Sequence, residues 1–457
     1  MPAATQYWAN DDQQDSALID AAEFERRQRA ELHEKGWRYY DGDHPRHLKV
    51  KQNPKTGAVV DNNVTINLVA QAVDRTVAFL FPAMPRLELV EDVETKAEKW
   101  LRAAWEHNND VIMLSNMATN GCLDGHVYAK VLTGSRYPRL VNLNSANVIV
   151  FWQADDVDTV LWYETRWKVG NREYREDTVN LTVLGMGAGW QIREYVRDAK
   201  SGSQNRAEKW TLMRETAWAY PLGPIVDWQH LPAPNRFYGK PDLGHELRLT
   251  TLNDAVNKTA SDYKAILRTH AAPRTIGTGI RTEDMKETAI DQFWAIPNPD
   301  AKVFNVEMQS DLDSSMEFIK FLVEAFYSQA RITIAKGGPE AFKDVTNLGI
   351  KVAYLDMLAK DASLRRQYGR GIREISRRFL MLGGFPHDID IIERWPEPLP
   401  TSEPERVEIV AKEQALGLIS RESAAGALGL DWDLEQARME REKPSPPTPL
   451  PQGEGES

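Results

Sequence analysis

The apolar residues of this chain change period twice, from helical to strand-like and back, which restricts it to a mixed architecture. From Thr65 onward Ile66, Val69, Ala70, Val73, Val77 and Leu80 recur at helical spacing until Pro82 and Pro85 stop the run. Further helices are expected at Glu94–His107 and from Val111 to about Leu123. Strand-like segments follow between Val127 and Gln229, among them Asn147–Trp152, Val160–Trp167, Trp190–Val196 and Trp210–Ala217, with Gly, Asn and Asp between them. They predict an antiparallel sheet. After Tyr238-Gly239-Lys240-Pro241 the helical period returns through Leu243, Leu247, Leu252, Val256, Tyr263 and Ile266 up to Ala272-Pro273. That helix is expected to be about 30 residues, or roughly 45 Å.

A small insert of two strand-like pieces, Arg274–Ile280 and Lys302–Met308, precedes a second helix expected over Asp313–Ile332. The loop Thr333–Thr346 carries Gly337-Gly338-Pro339. A third long helix is expected from Asn347 to about Leu382, closed by Gly383-Gly384. Asp388–Arg394 alternates like an edge strand, and Ser402 with Glu405 has capping-box spacing for a terminal group of helices. Five prolines without apolar periodicity between Lys443 and Ser457 predict a disordered tail. The first 36 residues read as a polar arm and a charged helix.

At 457 residues, with 42% hydrophobic and 27% charged side chains, the chain has material for several domains and an ordinary core. Lys plus Arg is 56 against 67 for Asp plus Glu, a net charge of −11. A protein that holds nucleic acid tightly by neutralising phosphates leans the other way. The single cysteine, Cys122, excludes an intrachain disulfide and fits a reducing place of synthesis. No apolar run approaches a membrane span, and Met1–Asp20 is polar and acidic, unlike a signal peptide.

Enzymatic motifs are few. Gly239-Lys240-Pro241 and Lys336-Gly337-Gly338 both lack the Gly-Lys-Ser/Thr closure of a nucleotide-binding loop, and His245-Glu246 lacks the second histidine of a zinc helix. No Gly-x-Ser-x-Gly elbow is present, and Cys122 has no basic neighbour in sequence to activate it. Asp41, Asp43, His44 and His47 form the densest set of potential metal ligands and would suit a metal-dependent phosphodiesterase. The competing reading is turn chemistry in Asp41-Gly42-Asp43-His44-Pro45. The 14 tryptophans are scattered singly and read as packing residues.

On the helix expected at Asp313–Ile332, Glu317, Lys320, Glu324, Ser328 and Arg331 share one face, opposite Met316, Ile319, Leu322, Val323, Phe326 and Ala330. Alone, such a stripe is a solvated face carrying Glu-to-Lys pairs.

The order of these elements resembles the portal proteins of tailed double-stranded DNA bacteriophages, in the long-tailed branch, over roughly Trp37–Arg441. The passages that carry the resemblance are Tyr39-Tyr40-Asp41-Gly42-Asp43-His44, Asn62-Asn63 leading to Asn67-Leu68-Val69, the helix end Phe79-Leu80-Phe81-Pro82, and Gly125–Val131. Tyr238–Leu243 opening a long helix and Leu416–Ser423 complete the set. The resemblance implies an α+β, portal-type multidomain subunit with long stem and tunnel helices, a β-containing wing and clip, and a small helical crown. Its divisions would be an arm and helix (1–36), wing (37–238), first stem helix (239–270), clip (271–312) and second stem helix (313–332). A tunnel loop (333–346), its supporting helix (347–383), a wing return strand and linker (384–401), crown helices (402–442) and a Pro-rich tail (443–457) would follow.

The resemblance further implies a non-enzymatic virion protein without cofactor or metal, made in the host bacterial cytoplasm. It would form a ring of usually twelve subunits at one capsid vertex, through which DNA is packaged and ejected without sequence specificity. Partners would be terminase, the major capsid or scaffolding protein, and a head-tail connector; a membrane is not among them. The polar stripe then becomes a lumen face, and Glu317, Lys320, Glu324, Arg331, Lys336 and Lys343 are the channel candidates. The tunnel loop read without that context is a surface loop between two helices. A third reading is a monomeric adaptor whose polar helix face meets solvent.

Overall fold

The computed structural model describes residues 29–44, 48, 51–52, 57, 59–60, 63–90, 96–153, 155–198, 210–244, 248–271, 274–278, 300, 302–306, 312–334, 347–399, 403–430 and 432–442. The fold is α+β, in two compact units, Met1–Pro396 and Glu397–Ser457.

In the first unit, helix α1 (29–40) is followed by the short pair β1 (Lys51–Gln52) and β2 (Val59–Val60) and by α2 (Leu68–Leu80). Asn67 caps α2 by accepting from the Ala70 N–H at 2.9 Å. Strand β3 (Arg86–Leu89), α3 (Lys96–His107) and α4 (Asp110–Asp124) come next. Helix α4 ends at Gly125, which has φ +79° and lies against the backbone of residues 239–241, where a Cβ would stand 2.8 Å from the Gly239 carbonyl. Glycine is needed there for both conformation and space.

The sheets follow. β4 (His126–Leu132) and β5 (Arg139–Leu143) pair antiparallel. β6 (Val148–Gln153), β7 (Asp156–Val169), β8 (Arg172–Asn180), the one-turn helix α5 (Leu181–Leu184), β9 (Trp190–Asp198) and β10 (Thr211–Trp218) form a five-stranded antiparallel meander in chain order. β11 (Ile225–Gln229) returns to pair with β4, completing a three-stranded sheet. β8 has no apolar alternation to mark it as a strand, and five of its nine residues are charged. Its charge is neutralised inside the fold. Arg175 donates to both carboxylate oxygens of Asp177 at 2.8 and 2.6 Å and lies 3.2 Å from Glu164, while Lys130 on β4 meets both oxygens of Glu176 at 2.6 Å.

The long helices start and stop where the backbone chemistry dictates rather than where periodicity alone suggests. α6 is described over Arg248–Ala271, residues 245–247 ahead of it lying outside the described residues, and the turn at 241–244 puts its start later than the expected 239. Pro241 and Gly244, with φ +81°, occupy a turn ahead of it. The pair β12 (Arg274–Thr278) and β13 (Lys302–Val306) joins α6 to α7 (Leu312–Ala330). The single third helix expected from Asn347 is two: α8 (Asn347–Ala353) and α9 (Leu355–Leu382), interrupted at Tyr354, whose ψ of 13° leaves helical geometry. β14 (Ile391–Arg394) pairs with β3, so the predicted edge strand lies beside a strand about 300 residues earlier.

Helix α9 rises about 42 Å over its 28 residues and forms the axis of the main core. Leu364, Tyr368, Ile372, Ile375 and Phe379 on it pack with Leu101, Trp105, Leu114, Val127 and Trp228. Trp105 is fully buried and its indole donates to Ser376 Oγ at 3.0 Å, so the ring's polar edge is satisfied where its body packs. A second cluster joins α2, α6 and α7 through Val69, Val73, Val256, Leu322 and Phe326.

The second unit contains α10 (Glu403–Ala415), α11 (Arg421–Ala427) and α12 (Trp432–Glu442). Ser420 caps α11 through the Ser423 N–H at 3.0 Å. The expected disordered tail, 443–457, lies outside the described residues.

Candidate functional site

Helix α7 builds the stripe predicted from sequence, and its packing separates two halves. Toward the C-terminus, Leu322, Phe326, Tyr327 and Ala330 are buried, and the Tyr327 hydroxyl donates to Gln71 of α2 at 2.6 Å. Glu317, Lys320, Glu324 and Ser328 are exposed on the other side, as the 3-4 spacing requires. Arg331 is exposed too, but it is not on the helix. It sits just past the end at φ +54°, with the Ile332 N–H bonding back to the Tyr327 carbonyl at 3.0 Å, a left-handed helix stop. Its side chain therefore leaves from a different backbone direction than the stripe.

Of the expected apolar face only Met316, near the N-terminus, is exposed; outside that face, Phe318 is 51% and Phe321 62% exposed, their rings stacked at 6.3 Å, with no covering partner among the described residues. Lys336 and Lys343 lie outside the described residues.

Among the described residues the alternative metal set is not assembled. Asp41, Gly42 and Asp43 are the last turn and exit of α1, their N–H groups bonding to Trp37, Tyr39 and Arg38 carbonyls, with Gly42 at φ +86°. His44 is turned inward against Tyr39 and Asn253, and burial pushes its imidazole below the usual range. Among the described residues these side chains form no group that could share an ion, and His47 lies outside them. The turn reading is the one the structure supports.

What sequence reasoning missed is a buried polar network at the junction of α2, α4, α9 and the turn before α6. Lys360, 4% exposed, donates to Asp242 at 2.6 Å, Thr76 at 3.0 Å and the Ala330 carbonyl at 3.3 Å, so all three of its hydrogens are engaged. Asp242 also meets His230 Nε2 at 3.1 Å, and His230 Nδ1 lies 2.8 Å from the Tyr368 hydroxyl. Burial works to raise the Asp242 carboxyl, but Lys360 and then His230 outweigh it and hold it below the usual carboxylate range.

Cys122, His230 and Asp242 stand close enough to suggest metal ligands. The Lys360 ammonium already supplies the positive charge there, and burial pushes the Cys122 thiol well up, keeping its proton. The network ties elements together. No spacing rule could have found it, since its members lie up to 284 residues apart.

A second buried set, His126, Asp227 and Tyr163, has a triad-like outline, with His126 Nε2 2.9 Å from Asp227 and Tyr163 donating to the same carboxylate at 2.5 Å. The Ser145 hydroxyl donates instead to the His126 carbonyl at 2.9 Å, so it is not aligned on the imidazole as a nucleophile, and this set orients β4, β7 and β11.

No family model matches the chain, and no curated protein matches it. Among solved structures the chain is similar, at 14% identity over 79% of its length and 89% of theirs, to chains in the neck of an empty gene transfer agent particle with C6 symmetry (TM-score 0.43) and in the neck of the native particle with C12 symmetry (TM-score 0.42). A chain in the virion of the native gene transfer agent particle is similar over the same shares at a TM-score of 0.40.

Proposed function

We propose that the chain is a structural subunit of a phage-type particle: a portal protein that forms a ring at one capsid vertex and passes double-stranded DNA. The observation that carries the reading is α7, paired with α6 across a small β pair and exposing a charged stripe and an apolar patch on the same helix. A ring uses both: charged residues facing a lumen, aromatic residues facing the next subunit. Glu317 and Glu324 beside Lys320 give a surface of mixed sign, which limits phosphate attraction so that DNA slides rather than sticks. Arg331, Lys336 and Lys343 would supply transient phosphate contacts.

In this reading α6 and α7 are the stem, β12 and β13 part of the clip, α9 the helix behind the tunnel loop, the β-rich region the wing and α10–α12 the crown. ATP hydrolysis would belong to a terminase docked on the ring, with capsid or scaffolding protein and a head-tail connector as further neighbours. The subunit itself performs no catalysis.

Native mass spectrometry with negative-stain imaging of the full chain tests this. Twelve chains of 51.9 kDa would give a ring of about 620 kDa with a central channel. A monomer that cleaves DNA with added metal would overturn it.

A further inference from the structure

A cavity of about 600 Å³ opens between the start of α1 and the β4–β11 end of the first unit, a size typical of sites that bind a ligand or a peptide side chain. Its apolar wall includes Trp152 and Phe237, stacked at 5.0 Å with their planes 5° apart, with Tyr238 edge-on to both. Arg236 and Lys240 line it as well, both exposed, and among the described residues neither side chain has an ion-pair partner. An aromatic floor under two exposed cations calls for an occupant that is aromatic and acidic.

The sequence supplies one. Arg29, which lines the cavity and donates to the Val148 carbonyl at 2.6 Å, follows directly on residues 1–28. Residues 1–20 hold no lysine or arginine and four aspartates, Asp11, Asp12, Asp15 and Asp20, just after the aromatic pair Tyr7-Trp8. Twenty residues lie between Trp8 and Arg29, a tether whose reach is at most about 70 Å. Such a tether keeps the segment at an effective concentration in the millimolar range.

We propose that residues 7–20 dock in this cavity of their own chain, Tyr7 and Trp8 filling the aromatic floor and the aspartates meeting Arg236 and Lys240. The proposal does not depend on the portal reading. It makes the N-terminal segment a strap from α1 onto the β sheets, releasable by an acidic or aromatic competitor.

Disulfide trapping in the full chain tests it, since the native Cys122 is wholly buried and does not compete. Asn10→Cys is combined with Val157→Cys in the cavity wall, or with Val169→Cys, which is exposed twelve residues further along the same strand, about 40 Å away. The expected result is an intrachain disulfide to position 157 at least tenfold faster than to 169. It should slow at least fivefold when Arg236→Glu and Lys240→Glu, two exposed changes that leave the fold intact, are added, and likewise with Tyr7→Ala and Trp8→Ala. Equal rates to the two positions would overturn the proposal. So would a 157 disulfide that forms only between chains in a mixture of two differently tagged copies, because the occupant would then be another subunit's arm.

Discussion

Lys360 is a buried cation, 4% exposed, and its position makes the first unit sensitive to loss of its charge. Replacing it by Met keeps the volume but leaves Asp242 buried beside His230 without its main counter-charge, a change of the kind that costs about 3–5 kcal/mol. The pH dependence has a definite sign. In the natural chain the Asp242 carboxyl is held low, so its contribution is present above the ordinary carboxyl value of about 3.9 and is lost as pH falls through the folded value. Without Lys360, burial raises the carboxyl, and stability is lost as pH rises instead. Thermal melts of Lys360→Met should therefore fall furthest below the natural chain at pH 7 and least at pH 4. A deficit that does not change with pH would show that Asp242 is not the group responsible. Gly371 makes a separate point: a Cβ there would stand 2.6 Å from the Trp228 ring, in a core with no slack. Gly371→Ala should destabilise by about 1–3 kcal/mol in denaturant titration, despite the better helix propensity of alanine.

Strand β8 and helix α9 show how elements conceal or reveal themselves. α9 was legible because its apolar residues keep the helical period over many turns, although the interruption at Tyr354 left no mark that periodicity could register. β8 was not legible: Arg-Glu-Tyr-Arg-Glu-Asp carries no alternation of apolar and polar residues. Its buried side chains are charges satisfied by Glu164 on β7 and Lys130 on β4, partners that only the folded sheets bring near. Burial pushes the Asp177 carboxyl up to about 6 against the pull of Arg175. Arg175→Leu should thus cost about 3–5 kcal/mol at pH 8, where the buried Asp177 carboxylate loses its counter-charge. It should cost less at pH 5, where Asp177 takes up a proton. Hydrogen exchange of β7–β9 amides at the two pH values would show it, and equal protection at both would argue that other groups carry the charge balance.

At the scale of the whole molecule, the exposed apolar surface of α7 belongs to the proposed assembly rather than to the fold of one subunit. Phe318 and Phe321 are solvent-facing in the subunit, so replacing both by Ser should leave the melting temperature of the isolated chain within a few degrees of the natural value. In the ring reading, the same double change should shift native mass from the ring toward monomer. Unchanged rings would place the subunit contact elsewhere, and a collapse of monomer stability would show that these rings support the fold after all. Charge reversal at Glu317 and Glu324 belongs to the same scale. It turns a surface of mixed sign into a basic one and, if the portal reading holds, should slow DNA passage through assembled rings, read in a packaging assay, more at low salt than at high salt.

The sequence by itself determined the class and most of the succession of elements, β8 and the break at Tyr354 excepted. Helical period, strand-like runs and their Gly and Pro punctuation act over a few residues and are written locally, and the same holds for the α7 stripe and the Asp41–Asp43 turn. Tertiary structure alone decided which polar residues are buried together and that β14 lies beside β3. It also decided that Met316, Phe318 and Phe321 of α7 are exposed. Each depends on residues far apart in sequence meeting in a medium of low polarity, where an unpaired charge is costly and a paired one binds elements together. No local pattern encodes which partner arrives.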